Sequence, residues 1–269
     1  MKIAVCYFGN TGGKKGSFGK GGYLDPSYCL NENINNLRNK KYNFDYFIHC
    51  WNKEFKKNIL KILKPKKNKF EKYNKIKFKN YPEYNLKNFE IYRQYLPEQY
   101  KNFYDKHLFA SQCRIYSQSS SLKMMLQYCN IKKKKYDWIL ISRIDQIFLN
   151  SIKFEKLNKK FTYITYNTKK RFGYEDYFAL SPFSHTKKIS QWFKYRNKYA
   201  LTGPDSMKQH FDKFKIKTKP LLKVGKDFIL YRNIINSKKF KFNNYLHYLK
   251  TLIKNIINIK ISLQNSLTF

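Results

Sequence analysis

The segment YDWILISRIDQIFL, residues 136–149, runs from Trp138-Ile139-Leu140-Ile141 into a charged end at Arg143 and Asp145. At the end of a strand, residues two apart point to the same side, so 143 and 145 are aimed together. An arginine and a carboxylate so placed suit a diphosphate. The guanidinium forks two phosphate oxygens, and the carboxylate holds a Mg²⁺ or Mn²⁺ ion that bridges the same phosphates. Neutralising charge on a departing nucleoside diphosphate lowers the barrier to its release. The same two side chains can instead pair with each other and merely cap the strand, and the segment alone does not choose.

Two other segments end an apolar run in polar or aromatic residues, Gly9-Asn10 and His49-Cys50-Trp51, and a third, Glu175-Asp176-Tyr177, opens one. In an open α/β sheet such strand ends converge at the carboxyl edge, where ligands bind. Seven of the ten glycines (Gly9, Gly12, Gly13, Gly16, Gly19, Gly21 and Gly22) follow the first run. Glycine lets a backbone approach a ligand closely, although a plain mobile loop has the same composition. Neither GxGxxG opening a helix nor GxxxxGK[ST] is present. Carboxylates near such an edge are candidates for a general base. Asp176 is the first candidate, followed by Asp205, which also fits the first turn of a helix; Asp227 reads as a strand-start residue.

The elements that must position these residues alternate. Strands are expected over residues 2–8, 44–49, 136–149, 161–166, 177–180, 216–222 and 227–231. Helices are expected over about 26–39, 52–63, 109–128, 184–198 and 204–214. This order predicts an α/β sheet. Residues 1–235 read as one catalytic domain, with 64–105 an irregular insertion rich in Lys, Asn and Tyr. Residues 236–269 form a basic tail in which Leu246, Leu249, Leu252, Ile253, Ile256 and Ile257 share one helical arc. That helix either packs on the domain or docks on an anionic membrane surface.

Composition narrows the class. The chain has 269 residues, with 42% hydrophobic and 19% aromatic content, which excludes a disordered protein. Its 56 Lys+Arg against 17 Asp+Glu give a formal charge of +39, which attracts anionic substrates. The lysines are interleaved with asparagines throughout and form no single cluster, so no nucleic-acid partner is expected. Five scattered cysteines without a CxxC pair point to buried free thiols and a cytoplasmic setting. No run reaches the ~18 apolar residues of a membrane span.

Taken in order, the N-terminal strand ending at Gly9-Asn10, FDYFIHCW, YDWILISRID and EDYFALS resemble glycosyltransferases of bacterial capsule and lipooligosaccharide gene clusters, with related proteins in some large viruses. Those enzymes show a D-x-F-I-H-x-W element, matched by Asp45, His49 and Trp51. A Y-D-x-I-x-x-x-R-x-D element is matched by Tyr136, Asp137, Arg143 and Asp145. The resemblance covers about the first two-thirds of the chain. It implies a GT-A-like, Rossmann-type mixed sheet flanked by helices, and a nucleoside-diphosphate-sugar donor contacted by Gly9, Asn10, His49, Trp51, Arg143 and Asp145. It further implies a glycan or lipid-linked acceptor. Asp145 falls at the metal-ligand position, whereas Arg143 stands where a first acidic ligand would be; Arg143 replaces either a metal ligand or the metal. His49 is either a donor contact or a satisfied strand-end histidine. Other readings are a non-catalytic basic protein binding nucleic acid or anionic membrane, and a transferase of another activated group.

Overall fold

The structure is a computed structural model that describes residues 1–14, 22–72, 104–166, 174, 177–199 and 203–231. Its centre is β1 (Lys2–Gly9), whose residues from Ile3 to Phe8 are all buried. A strand this apolar on both faces belongs inside a parallel sheet. On one side β1 pairs in parallel with β2 (Asn43–Cys50), which pairs with β3 (Lys67–Phe70). On its other side lies β4 (Trp138–Arg143), also parallel and buried at all six residues. Beyond it come β7 (Phe178–Pro182), β6 (Thr162–Tyr166) and β8 (Thr218–Lys223), giving the order β3-β2-β1-β4-β7-β6-β8. Only β7 runs antiparallel to its neighbours. A separate two-stranded sheet joins β5 (Gln146–Phe148) to β9 (Phe228–Leu230). The expected α/β class holds, as a seven-stranded, mostly parallel mixed sheet flanked by helices.

The helices divide between the two faces. Helices α1 (Ser27–Leu37) and α2 (Lys56–Leu63) pack with Ile3, Val5, Tyr7, Trp138 and Leu140. The long α3 (Tyr104–Lys132) lies on the opposite face, with Ala4, Cys6, Phe8, Ile139 and Ile141. There it is joined by α4 (Phe183–Ile189), α5 (Trp192–Tyr195) and α6 (Gly203–Lys213). The chain therefore winds outward from β1 through α1 and α2, then crosses by α3 to β4 on the other side of β1. That reversal is a topological switch point, and the crevice beyond the carboxyl ends of β1 and β4 is where open α/β sheets bind ligands.

Two expected elements differ for local reasons. The second helix begins at Lys56 rather than Asn52, because the Asn52 side chain accepts the Thr11 N–H and donates to Glu54. The expected helix over 184–198 is broken after Ile189, where Ser190 Oγ donates to the Lys187 carbonyl. Beyond the break, α5 buries Trp192 completely, and its indole N–H donates to Ser206 Oγ at 2.7 Å. All five cysteines are free and buried. No helix among the described residues is long and apolar enough to cross a membrane. The tail helix expected over 246–257 lies outside the described residues, as do residues 73–103 of the expected insertion.

Candidate functional site

The exit of β1 is shaped by glycine. Gly9 has φ +99° and Gly12 φ +77°, conformations that L side chains rarely adopt. A Cβ at Gly9 would meet nothing within 4 Å, so φ and not crowding demands glycine there. The Gly9 N–H donates to Ser117 Oγ at 2.8 Å, and its carbonyl accepts the Trp51 N–H at 3.1 Å. Asn10 Oδ1 accepts the Gly12 N–H, a turn asparagine readily makes. Thr11 N–H donates to Asn52 Oδ1 at 2.9 Å. The exits of β1 and β2 are thus sewn together. The glycine-rich segment continues as a hairpin base, with Lys14 N–H on Gly22 and Leu24 N–H on Gly12; its tip, 15–21, is outside the described residues.

His49, at the exit of β2, is fully buried and engaged at both ring nitrogens. Glu71 lies 3.0 Å from Nε2, and a carboxylate only accepts, so that nitrogen carries a proton. Nδ1 lies 2.7 Å from the hydroxyl of Ser117 on α3, the same hydroxyl that holds the Gly9 amide. Glu71, His49 and Ser117 therefore form one chain ending on the backbone of the β1 exit. Around it stand Trp51 and Tyr116, edge-on to the imidazole at 4.9 and 5.3 Å, with Phe193 5.1 Å from Tyr116. Trp51 is only 4% exposed. In this arrangement His49 and Trp51 support the β1 exit from behind.

Arg143 ends β4, and the chain then turns at Ile144 and Asp145 into β5. The apolar run 136–149 is thus two strands in two sheets. The turn is held by Ile144 N–H on the Phe8 carbonyl and by Tyr231 N–H on the Asp145 carbonyl. It brings the two side chains into a bidentate pair: Arg143 Nε donates to Oδ1 and Nη2 to Oδ2, both at 2.7 Å. Asp145 is fully buried and Arg143 is 6% exposed. The Tyr177 ring lies 5.4 Å from the guanidinium carbon. From α1, Asn33 Nδ2 and the Cys29 thiol both donate to the Gln146 carbonyl. Burial, and after it the Asp145 charge, pushes that thiol well above its usual range, so it stays protonated and able to donate. Gln146 itself is fully buried, and both polar atoms of its side chain have no hydrogen-bond partner among the described residues.

Register aligns these exits. Phe8 pairs with His49 on one side and Arg143 on the other. With strands ~4.8 Å apart, the Cα atoms of His49 and Arg143 are about 10 Å apart across β1. Gly9, Asn10, His49, Trp51, Arg143 and Asp145 therefore share one edge of the sheet. Asp176 lies outside the described residues. Asp205 is in the first turn of α6, where the helix dipole favours a carboxylate. Asp227 is occupied in a turn, accepting the Lys223 N–H and the Asn150 amide.

The motif residues divide into two groups. Asp45 accepts from Tyr136 at 2.7 Å and pairs with Lys134 and Lys66, and these charges hold its carboxyl below the usual range despite burial. Asp137 accepts the Lys2 N–H at the start of β1. These three, Asp45, Tyr136 and Asp137, tie strands together near the amino ends. Ser117 and Glu71 were missed from sequence. The only sign of Ser117 is an unusual run, SQSSS, inside a helix.

Among the described residues, the side chains at this edge do not make up a ligand set for a divalent cation. Both carboxylate oxygens of Asp145 already take an Arg143 N–H, so an ion would sit against a like charge or displace it. Among the described residues, no group of three or more His, Cys, Asp or Glu side chains could hold a metal ion. Comparison with models of known protein families and with curated proteins returns no match for this chain.

Proposed function

We propose that this chain is a glycosyltransferase of GT-A-like fold that moves a sugar from a nucleoside-diphosphate sugar to a hydroxyl of a surface polysaccharide or lipid-linked glycan. The observation that carries this reading is the juxtaposition, at the β1/β4 switch point, of the glycine-shaped exit at Gly9-Asn10 and the buried Arg143–Asp145 pair. The donor's diphosphate lies across these exits, where Arg143 opposes the charge that develops on the leaving group. The exit backbone arrives pre-set, because Ser117 and Asn52 fix the Gly9 and Thr11 amides before any ligand enters. The formal charge of +39 concentrates an anionic donor around the protein. Asp176 and Asp205 remain the candidates for the base that takes the acceptor's proton.

Thermal melting of the purified chain against UDP-, GDP-, CDP- and dTDP-sugars tests this. One donor class should raise the melting temperature at micromolar to millimolar concentration, since a ligand that binds only the native state stabilises it. No shift with any donor, together with retardation of oligonucleotides at physiological salt, would establish the basic binding protein instead.

A further inference from the structure

We infer that Ser117, a fully buried hydroxyl on α3, is a positioning residue of the donor site, fixing a peptide group that joins the glycine exit to the Arg143–Asp145 turn. The inference rests on the nucleotide-sugar reading and names what keeps the two halves of that site in register. The peptide group between Phe8 and Gly9 is bonded at both ends. Its carbonyl accepts the Ile144 N–H at 3.0 Å, from the turn between Arg143 and Asp145, and its N–H donates to Ser117 Oγ at 2.8 Å. A peptide group is planar, so its two ends rotate as one. Tilting the Gly9 N–H away from α3 therefore swings the Phe8 carbonyl away from Ile144. The following peptide group is held as well, its Gly9 carbonyl accepting the Trp51 N–H at 3.1 Å. The exits of β1, β2 and β4 thus meet on two successive peptide groups, and Ser117 is their link to α3.

Ser117 is itself held in place. Its Oγ lies 2.7 Å from His49 Nδ1 and 3.1 Å from the His49 carbonyl. Glu71 accepts the proton on Nε2 at 3.0 Å, and in the neutral imidazole this leaves Nδ1 as an acceptor. The Ser117 proton then goes to Nδ1, while the same oxygen accepts the Gly9 N–H. With a second proton on His49, Nδ1 donates instead, the hydroxyl turns to the His49 carbonyl, and the oxygen still accepts from Gly9. The clamp on Gly9 therefore holds in either state of the histidine. Because Ser117 is fully buried, it acts on a ligand only through this backbone.

Hydrogen–deuterium exchange and calorimetry of the full chain carrying Ser117→Ala test this, with folding checked by circular dichroism. Without ligand, exchange should quicken about tenfold in the peptides spanning Gly9–Gly12 and Arg143–Gln146, because a buried N–H has lost its acceptor. For whichever of the UDP-, GDP-, CDP- and dTDP-sugars binds wild type, the dissociation constant should rise about tenfold. Ser117→Cys offers a poorer acceptor and should fall between the two, which keeps the test open if the alanine variant does not fold. Ser119→Ala is the control: Ser119 Oγ accepts the Phe193 N–H at 3.1 Å from the same helix, and its loss should leave both readouts within about twofold of wild type. Wild-type affinity in a folded Ser117→Ala would overturn the inference and leave the nucleotide reading intact, as would an equal loss in Ser119→Ala. Faster exchange confined to Gly9–Gly12 would also overturn it, since the two halves would then move separately. Absence of binding by every donor to the wild-type chain would remove the nucleotide reading itself, and this inference with it.

Discussion

Replacing Asp145 by asparagine removes one charge from a pair that is almost wholly out of water. Arg143 is 6% exposed and Asp145 is fully buried, so the variant leaves a guanidinium cation with an amide where a carboxylate had accepted two N–H bonds. Breaking one side of such a buried pair costs about 3–5 kcal/mol, far above the 0–1 kcal/mol of a surface pair. For a chain of this length about 2 °C of melting temperature is lost per kcal/mol, which gives a drop of about 6–10 °C. The assay is a thermal melt of wild type and Asp145→Asn followed by circular dichroism. The double variant Arg143→Met with Asp145→Leu is the control. It removes both charges into an apolar setting and should recover at least half of the loss. An Asp145→Asn melt within 1 °C of wild type would refute the buried-pair description, as would a double variant less stable than the single one.

Three other expectations concern stability. Burial pushes the His210 imidazole down to about 4, so between that value and the ordinary pKa near 6.5 the unfolded chain binds the extra proton. Stability should therefore decrease as the pH is lowered through that window, by about 2–3 kcal/mol from pH 7.5 to 4.5; urea unfolding of wild type and His210→Gln at several pH values should show a shallower pH dependence in the variant. Tyr136→Phe removes the hydroxyl bonded to Asp45 and should cost about 1–2 kcal/mol in urea unfolding. Because that contact lies near the amino ends of the strands, donor-sugar affinity should not change. Gln146→Met removes two buried polar atoms that have no partner among the described residues, so its melting temperature should equal or exceed that of wild type. A loss of more than 1 kcal/mol would reveal an ordered group that satisfies the amide.

The strands at the centre of the sheet were legible because they announce themselves: KIAVCYFG and WILISR are too apolar to lie anywhere but between neighbours buried on both faces. The split after Arg143 was hidden by the same property, since IFL continues the apolar run. What divides it is non-local, the Ile144 N–H on Phe8 and the Asp145 carbonyl on Tyr231. That Gly9, His49 and Arg143 meet along one edge is the convergence expected of strand ends in an alternating α/β chain, whereas the strand order that sets them side by side is seen only in the structure. The support behind it was not. In α3, Gln112, Ser117, Gln118, Ser119 and Ser121 are all buried, although small polar residues on a helix ordinarily read as its solvent side. Glu71, an acidic residue in a lysine-rich stretch, gave no hint of its histidine partner 22 residues earlier. Asp45 and Tyr136 were recognisable as motif residues, yet their contact is structural.

Hydrogen–deuterium exchange of the full chain with and without the four nucleoside-diphosphate sugars tests the central claim most directly, because it locates the ligand as well as detecting it. A glycosyltransferase site at the switch point predicts slowed exchange in the peptides spanning Gly9–Gly12 and Arg143–Gln146 with at least one donor sugar. Unchanged exchange in both peptides with every donor, or protection confined to other surfaces, would contradict it.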